Sequence, residues 1–369
     1  MFIPLYPGKA DERFAFLAEW YDPRAALMRK YQMMYYPSDN SIEMYDIKNR
    51  RLFLKRSVID GLKIHDFYIG AIVNIHTRQL TITDFADTYT TTRLKSINEQ
   101  TLAMIKPDVI AGHLGSILEM IDKEGLIICQ AKMVHLTRKD ASEFYRDHAS
   151  MPYYDCSLRN KIVVSATEKQ LDFFALMKKN SGHVDVVQLI SKYNTKNAAH
   201  GSDSPMSSEK EVKFFFGFSR KNSAKFDNCT LCIIKPHAVA EGMTGNIVKA
   251  IQEEGFEISA LQMFHLERAN AEEFHEVYKD VVNEYNDMVV ELCSGPCMAL
   301  EIRGLDVQRV FRQFVGPVDP EIARHLRPRT LRARFGKDKI QNAVHCTDIP
   351  EDGSLEVRPA RCDQSWNFQ

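Results

Sequence analysis

The chain has 369 residues, with 48 Lys plus Arg against 49 Asp plus Glu; a net charge of −1 excludes a chain-wide basic field of the kind that gathers nucleic acid or anionic membrane. Apolar residues make up 44%, enough for ordinary cores and too many for a disordered chain. At roughly 150 residues per domain the length predicts two to three domains. No apolar run approaches the roughly 20 residues of a membrane span, and Met1 to Arg13 lacks a secretory leader, so the chain reads as cytoplasmic, without membrane or nucleic-acid partners.

Residues 10–98 read as a small antiparallel β module. Arg29 to Tyr36 is aromatic-rich, Pro37 to Asn40 is a turn, and Ile42 to Asp46 alternates. Lys48 to Arg51 turns again before Leu52 to Arg56. Ala71 to His76 and Leu80 to Phe85 form a further hairpin-like pair, and the polar stretch Arg93 to Gln100 suits a linker. An internal repeat follows. Thr101-Leu-Ala-Met-Ile-Lys-Pro-Asp108 matches Thr230-Leu-Cys-Ile-Ile-Lys-Pro-His237, each followed by a glycine-containing loop and an amphipathic segment (Ile117 to Gly125, Ile247 to Gly255). Ala131 to Leu136 parallels Leu261 to Leu266, and Asp140 to Phe144 parallels Asn270 to Phe274. Asn197-Ala-Ala-His200 and Asn342-Ala-Val-His345 close the two copies. The repeat is long enough to be a duplicated α+β domain rather than a solenoid unit. The copies span 99–216 and 229–357, with a linker at 217–228 and a tail at 358–369. Gly201 to Lys225, rich in Ser and Lys, reads as the bridge between them. The first copy has an atypical, eroded middle around 155–196, where nothing matches Ser294-Gly-Pro296, Arg312 or Arg332.

Two cysteine pairs, Cys229–Cys232 and Cys293–Cys297, have spacings compatible with zinc. The competing reading is that cysteine serves as a small hydrophobe in β-like apolar stretches. The Lys-Pro strand ends, the repeated histidines and the scattered arginines invite a phosphate reading. No P-loop and no protein-kinase set is present. What remains is a phosphate clamp of Lys and Arg side chains around a histidine nucleophile, since imidazole is neutral and nucleophilic near pH 7. Against this stand plainer readings: Arg312 on a solvated helix face, and Arg327 to Arg334 as a basic surface for an acidic partner.

These motifs resemble those of nucleoside diphosphate kinases, whose marks are a strand ending I-K-P-D and a strand-turn N-x-x-H-G-S-D. Here they stand as Ile105 to Asp108 with Asn197 to Asp203, and as Ile234 to His237 with Asn342 to Asp348. The resemblance implies a ferredoxin-like βαββαβ core in each copy and phosphoryl transfer from a nucleoside triphosphate to a diphosphate, with Mg2+ arriving on the nucleotide. In the second copy it implies that His345 is the phosphorylated histidine, that Glu356 orients it, and that Lys235, Arg312, Arg332 and Asn342 hold phosphates and ribose. The departures are Val318 for the family's phosphate-contacting threonine, Cys346 for a glycine, and His275 or Tyr278 at the active-site tyrosine. Glu284 or Tyr285 falls where an aromatic stacks on the base. In the first copy Lys106, Tyr145, Asn197, His200 and Glu211 match, without the arginines that supply charge stabilisation.

Phe16 to Trp20, Leu27 to Tyr36 and Phe53 to Arg56 resemble the DM-ten domain, a pleckstrin-homology-like module of ciliary doublet-microtubule proteins. That resemblance implies attachment to tubulin in the cytoskeleton, at the centrosome, spindle and ciliary axoneme. Animal family members with this three-part order are linked with the γ-tubulin ring complex. Tubulin is acidic, which makes Arg50, Arg51, Lys55 and Arg56 candidate contacts, against the plainer reading of a solvated hairpin. The whole chain then reads as a microtubule-associated nucleoside diphosphate kinase. Its rival is a non-catalytic microtubule inner protein or ring-complex regulator that uses kinase folds as scaffolds.

Overall fold

The computed structural model describes residues 12–22, 24–59, 61–76, 78–95, 100–105, 107–124, 126–146, 171–179, 199–202, 204–217 and 222–348. The chain divides between Glu99 and Gln100 into two units. The first is an antiparallel sheet of β1 (Phe14–Asp22), β2 (Leu27–Tyr36), β3 (Ser41–Asp46), β4 (Arg51–Val58), β5 (Ile72–Ile75) and β6 (Arg78–Phe85), in the order β4-β3-β2-β1-β6-β5. Period-two alternation sets its faces: β2 buries Tyr31, Met33 and Tyr35 while Lys30 is exposed between them and the turn. Register shifts at Leu17/Ala18 and within β3 strengthen the twist, so the sheet curls around Phe67, whose ring lies 5.1 Å from Phe16 and 4.6 Å from Tyr35. Part of the expected linker is instead the end of a helix, Thr88–Lys95. Leu94 is buried in the core and Thr90 Oγ1 accepts the Ala15 N–H at 2.8 Å, so tertiary contacts override a polar sequence.

The second unit joins both repeat copies in one eight-stranded sheet. The first copy contributes β7 (Gln100–Ile105), β8 (Leu126–His135), β9 (Leu171–Lys179) and β10 (Ala199–Gly201); the second contributes β11 (Cys229–Ile234), β12 (Glu257–His265), β13 (Pro296–Arg303) and β14 (Val344–Cys346). The order β10-β7-β9-β8-β12-β13-β11-β14 is palindromic: each copy runs 4-1-3-2, the ferredoxin-like order, and the two meet edge to edge through Gln262 and Lys132. β9 takes the place that β13 takes in the second copy. The sheet of the first copy therefore keeps its third strand within the stretch read as eroded, although no motif announced it.

Three local expectations change. The glycine loop of the first copy is helical: Pro107–Lys123 runs unbroken through Gly112 and Gly115. The second copy does break there, at Gly242 with φ +67°, between helices Pro236–Ala240 and Thr244–Glu253. Gly201 to Lys225 is not a plain bridge, because Ser204 caps a helix Pro205–Phe216 that packs Phe215 into the core, and the Lys225 and Phe226 N–H groups donate to Glu301 at 2.8 and 2.6 Å. Cys293 ends a helix rather than lying in a strand, whereas Cys229, Cys232 and Cys297 are buried in strands.

The copies pack through helices Pro107–Lys123 and Thr244–Glu253, which approach so closely that a Cβ on Gly245 would stand 1.9 Å from the Glu119 nitrogen. The contacts are pseudo-symmetric. Asp122 accepts the Gly245 N–H at 3.2 Å, Gln252 accepts that of Gly115 at 2.8 Å, and Lys249 pairs with Glu119 at 2.9 Å. Burial at this seam pushes the Asp122 carboxyl up to about 7. Between the ordinary carboxylate range and pH 7 the folded chain holds a proton that the unfolded chain has lost, so this group's contribution to stability is present in acid and lost as pH rises through 7. Asp122→Asn should therefore raise the unfolding midpoint more at pH 8 than at pH 4, read by denaturant titration at both values.

Candidate active site

The backbone that carries His345 is set by one strained residue. β14 pairs with β11, placing His345 opposite Ile233 and Val344 opposite Ile234. Just before it, Ala343 has φ +68° and the Val344 N–H donates to the Asn342 carbonyl at 2.9 Å, closing a γ-turn of the strained, positive-φ kind. The Lys235 N–H donates to the Ala343 carbonyl at 2.9 Å, tying the end of β11 to this turn. The two sequence motifs, distant along the chain, are thus one structural element.

Around it the second copy gathers its cations. Lys235 is 5% exposed and donates through Nζ to the Ile340 carbonyl at 2.8 Å. Burial, seconded by the charge of Arg332, brings its ammonium down to about 7. Arg332 is also 5% exposed; its Nε donates to the Val344 carbonyl at 3.2 Å and a terminal nitrogen to the Gly316 carbonyl at 3.1 Å. Burial, opposed by the charges of Cys346 and Asp348, lowers its pKa. Gly316 has φ +89°, and a Cβ there would meet Thr330 Oγ1 at 2.4 Å, so only glycine lets this carbonyl reach Arg332. Among the described residues neither Lys235 nor Arg332 forms an ion pair; both donate to main-chain carbonyls. The basic run is sorted by burial: Arg332 points in, while Arg327, Arg329 and Arg334 are exposed.

The remaining residues close the cleft. Asn342 donates to the Val318 and Lys339 carbonyls at 3.0 and 3.1 Å. Arg312, half-exposed on helix Val307–Val315, pairs with Asp348, which also accepts the Tyr278 hydroxyl. Val318 is 53% exposed and offers no hydroxyl. The ring of His345, 7% exposed, lies edge-on to Phe274 at 4.8 Å and 6.1 Å from His275. In the first copy Phe144 and Tyr145 flank His200 in the same way, at 5.4 and 6.2 Å. By this correspondence His275, not Tyr278, holds the place of the tyrosine, and Tyr278 serves Asp348 instead. Burial, with the charges of His345 and Lys235, pushes His275 down to about 3, so its imidazole is neutral. Tyr285 packs on the core cluster that includes Phe264 and donates its hydroxyl to the Glu272 carbonyl at 3.4 Å.

His200 of the first copy has its ring nitrogen Nε2 3.0 Å from Glu211, whose other oxygen accepts the Ser202 hydroxyl at 2.6 Å. Lys106, Asn197 and Glu356 lie outside the described residues. One charged group went unmarked in the sequence: Glu291 is buried against His237, with only its place in the apolar run Val289 to Leu292 as a signal. Asp348, which closes the strand-turn motif, holds Arg312. No group of three or more His, Cys, Asp or Glu placed to hold a metal occurs among the described residues, and there no helix is long and apolar enough to cross a membrane.

A palindromic pair of 4-1-3-2 sheets, with a histidine on the last strand of each and buried cations at one of them, matches a known family. Residues 99–220 and 228–359 match the model described as Nucleoside diphosphate kinase, and residues 8–96 the model described as Nucleoside diphosphate kinase 7 N-terminal PH domain. The chain belongs to the nucleoside diphosphate kinase family. It is 51% identical over 372 residues to Nucleoside diphosphate kinase homolog 7 of Rattus norvegicus, covering 96% of this chain and 94% of that protein, and 50% identical to the Mus musculus homolog, covering 95% and 93%. A crystal structure of Aquifex aeolicus nucleoside diphosphate kinase is 38% identical over 35% of this chain and 92% of its own, with a TM-score of 0.34.

Proposed function

We propose that the second copy transfers the γ-phosphoryl of a nucleoside triphosphate to a nucleoside diphosphate through a phosphohistidine at His345. The observation that supports this most is the burial of Lys235 and Arg332, both bonded to the turn and strand that carry His345, with no carboxylate at ion-pair distance among the described residues; Glu291 and Asp348 act on them only from further off. Buried charge is costly, and an anion entering the cleft relieves it. In the first half-reaction an imidazole nitrogen attacks the γ-phosphorus and the bond to the β-phosphate oxygen breaks, releasing the diphosphate. In the second, a different diphosphate attacks the same phosphorus and frees the histidine. Lys235, Arg312 and Arg332 neutralise the charge on the equatorial and bridging oxygens. Asn342 binds ribose, and Glu356 accepts a hydrogen bond from the second imidazole nitrogen. Mg2+ travels with the nucleotide as part of the substrate.

Arg312 must exchange Asp348 for phosphate, and Val318 supplies no hydroxyl, so turnover is weak. His200, oriented by Glu211, is assigned the same acceptor role in the first copy, with Lys106 and Asn197 as its nucleotide contacts and less turnover still. The exposed Val318 and the Arg312–Asp348 pair also favour a second reading, in which the kinase folds serve as non-catalytic scaffold. Radiolabelled triphosphate separates them. The full chain should take acid-labile, base-stable phosphate and pass it to added diphosphate, and His345→Ala should lose at least about tenfold of the label. Full labelling of His345→Ala would rule the assignment out.

The amino-terminal module is assigned attachment to microtubules of the ciliary axoneme and centrosome, with tubulin and the γ-tubulin ring complex as partners. Arg50, Arg51 and Lys55, exposed on and beside the edge strand β4, support a contact with acidic tubulin. Arg56 is committed elsewhere, to Asp39 at 2.9 Å and over the Tyr36 ring at 3.9 Å. Replacing Arg50, Arg51 and Lys55 together by Glu should abolish salt-sensitive cosedimentation of the full chain with microtubules; unchanged cosedimentation would contradict the assignment.

A further inference from the structure

We propose that His237, held by Glu291, is a positioning residue that fixes the γ-turn in front of His345. This rests on the reading of His345 as the phosphate acceptor. Where the family motif I-K-P-D has aspartate, this copy has histidine, and the side chain is 7% exposed. Glu291, on the helix Tyr285–Leu292, is equally buried; its Oε1 lies 2.5 Å from His237 Nδ1 and 3.2 Å from the His237 main-chain nitrogen. The opposite ring nitrogen, Nε2, lies 3.3 Å from the Ala343 nitrogen.

The protonation pattern follows from the donors. The Ala343 main-chain N–H can only donate, so Nε2 is the acceptor and Nδ1 carries the hydrogen, which it gives to the Glu291 carboxylate. Ala343 is thereby gripped at both of its polar atoms, by His237 at its N–H and by the Lys235 main chain at its carbonyl. A non-glycine residue at φ +68° persists only where its surroundings over-determine it. Two residues on stands His345, so a turn that relaxes rotates the imidazole relative to Lys235 and Arg332. An aspartate at 237 would face Glu291 as a second buried carboxylate; histidine instead brings Glu291 a donor and Ala343 an acceptor.

Both side chains are buried, and His237 bonds to the Ala343 N–H of the turn, so their effect should fall on the transfer step and not on nucleotide affinity. Three variants of the full chain test this. His237→Gln keeps an acceptor near the Nε2 position; His237→Asn keeps only a donor near Nδ1; His237→Ala keeps neither. At saturating triphosphate, Gln should label within about threefold of the unaltered chain, while Asn and Ala fall at least about tenfold with dissociation constants within about twofold. Amide exchange at Ala343 should be at least about tenfold faster in Asn and Ala but not in Gln. The proposal is overturned if Asn and Ala label at the unaltered rate, if Gln falls as far as Asn, or if the loss lies entirely in affinity. Should the unaltered chain take no label, the reading of His345 fails on its own; exchange at Ala343 then decides the clamp, and equal rates in all four proteins overturn it.

Discussion

Two positive charges buried beside a histidine are the constraint on which the carboxy-terminal half of this molecule turns. Lys235 and Arg332 each reach into the interior and donate to main-chain carbonyls. Such charges carry a desolvation cost that carbonyl dipoles offset only in part, and it shows in the depressed pKa of Lys235. Much of the neighbouring architecture holds them in place. Gly316 lets its carbonyl approach Arg332, the γ-turn at Ala343 aims the next carbonyl, and β11 delivers Lys235 to that same turn. A fold that keeps this cost has an anionic ligand as its natural complement.

The pairing of the copies gives the second site a rigid floor. One continuous sheet, joined where β12 pairs with β8, and a helix seam with almost no room between Gly245 and Glu119 hold the two copies together. The first copy keeps the histidine with its glutamate. The second keeps two buried cations, with His275 beside its histidine where the first copy has Tyr145.

Much of this was legible in the sequence because the signals were local and repeated. The strand ending in Lys235, the motif ending in His345, and the hairpins of the first unit follow from short periodic runs bounded by turn residues. What escaped depended on distant partners. β9 has no motif and is recognised by pairing with β7 and β8. The helix Thr88–Lys95 is polar in composition and is fixed by Leu94 and Thr90 meeting β1 and the core. Glu291 reads as an oddity in an apolar run until His237 is brought to it from 54 positions away. His275 could be told from Tyr278 only when the rings around His200 and His345 were compared in space.

Thermal melting of the full chain and of Lys235→Met, each with and without magnesium nucleoside triphosphate, bears most directly on the buried cations. The account predicts that the methionine protein, relieved of a buried charge, melts higher than the unaltered chain without nucleotide and shows a much smaller upward shift when nucleotide is added. A methionine protein that melts lower and still gains the full nucleotide-induced shift would contradict it.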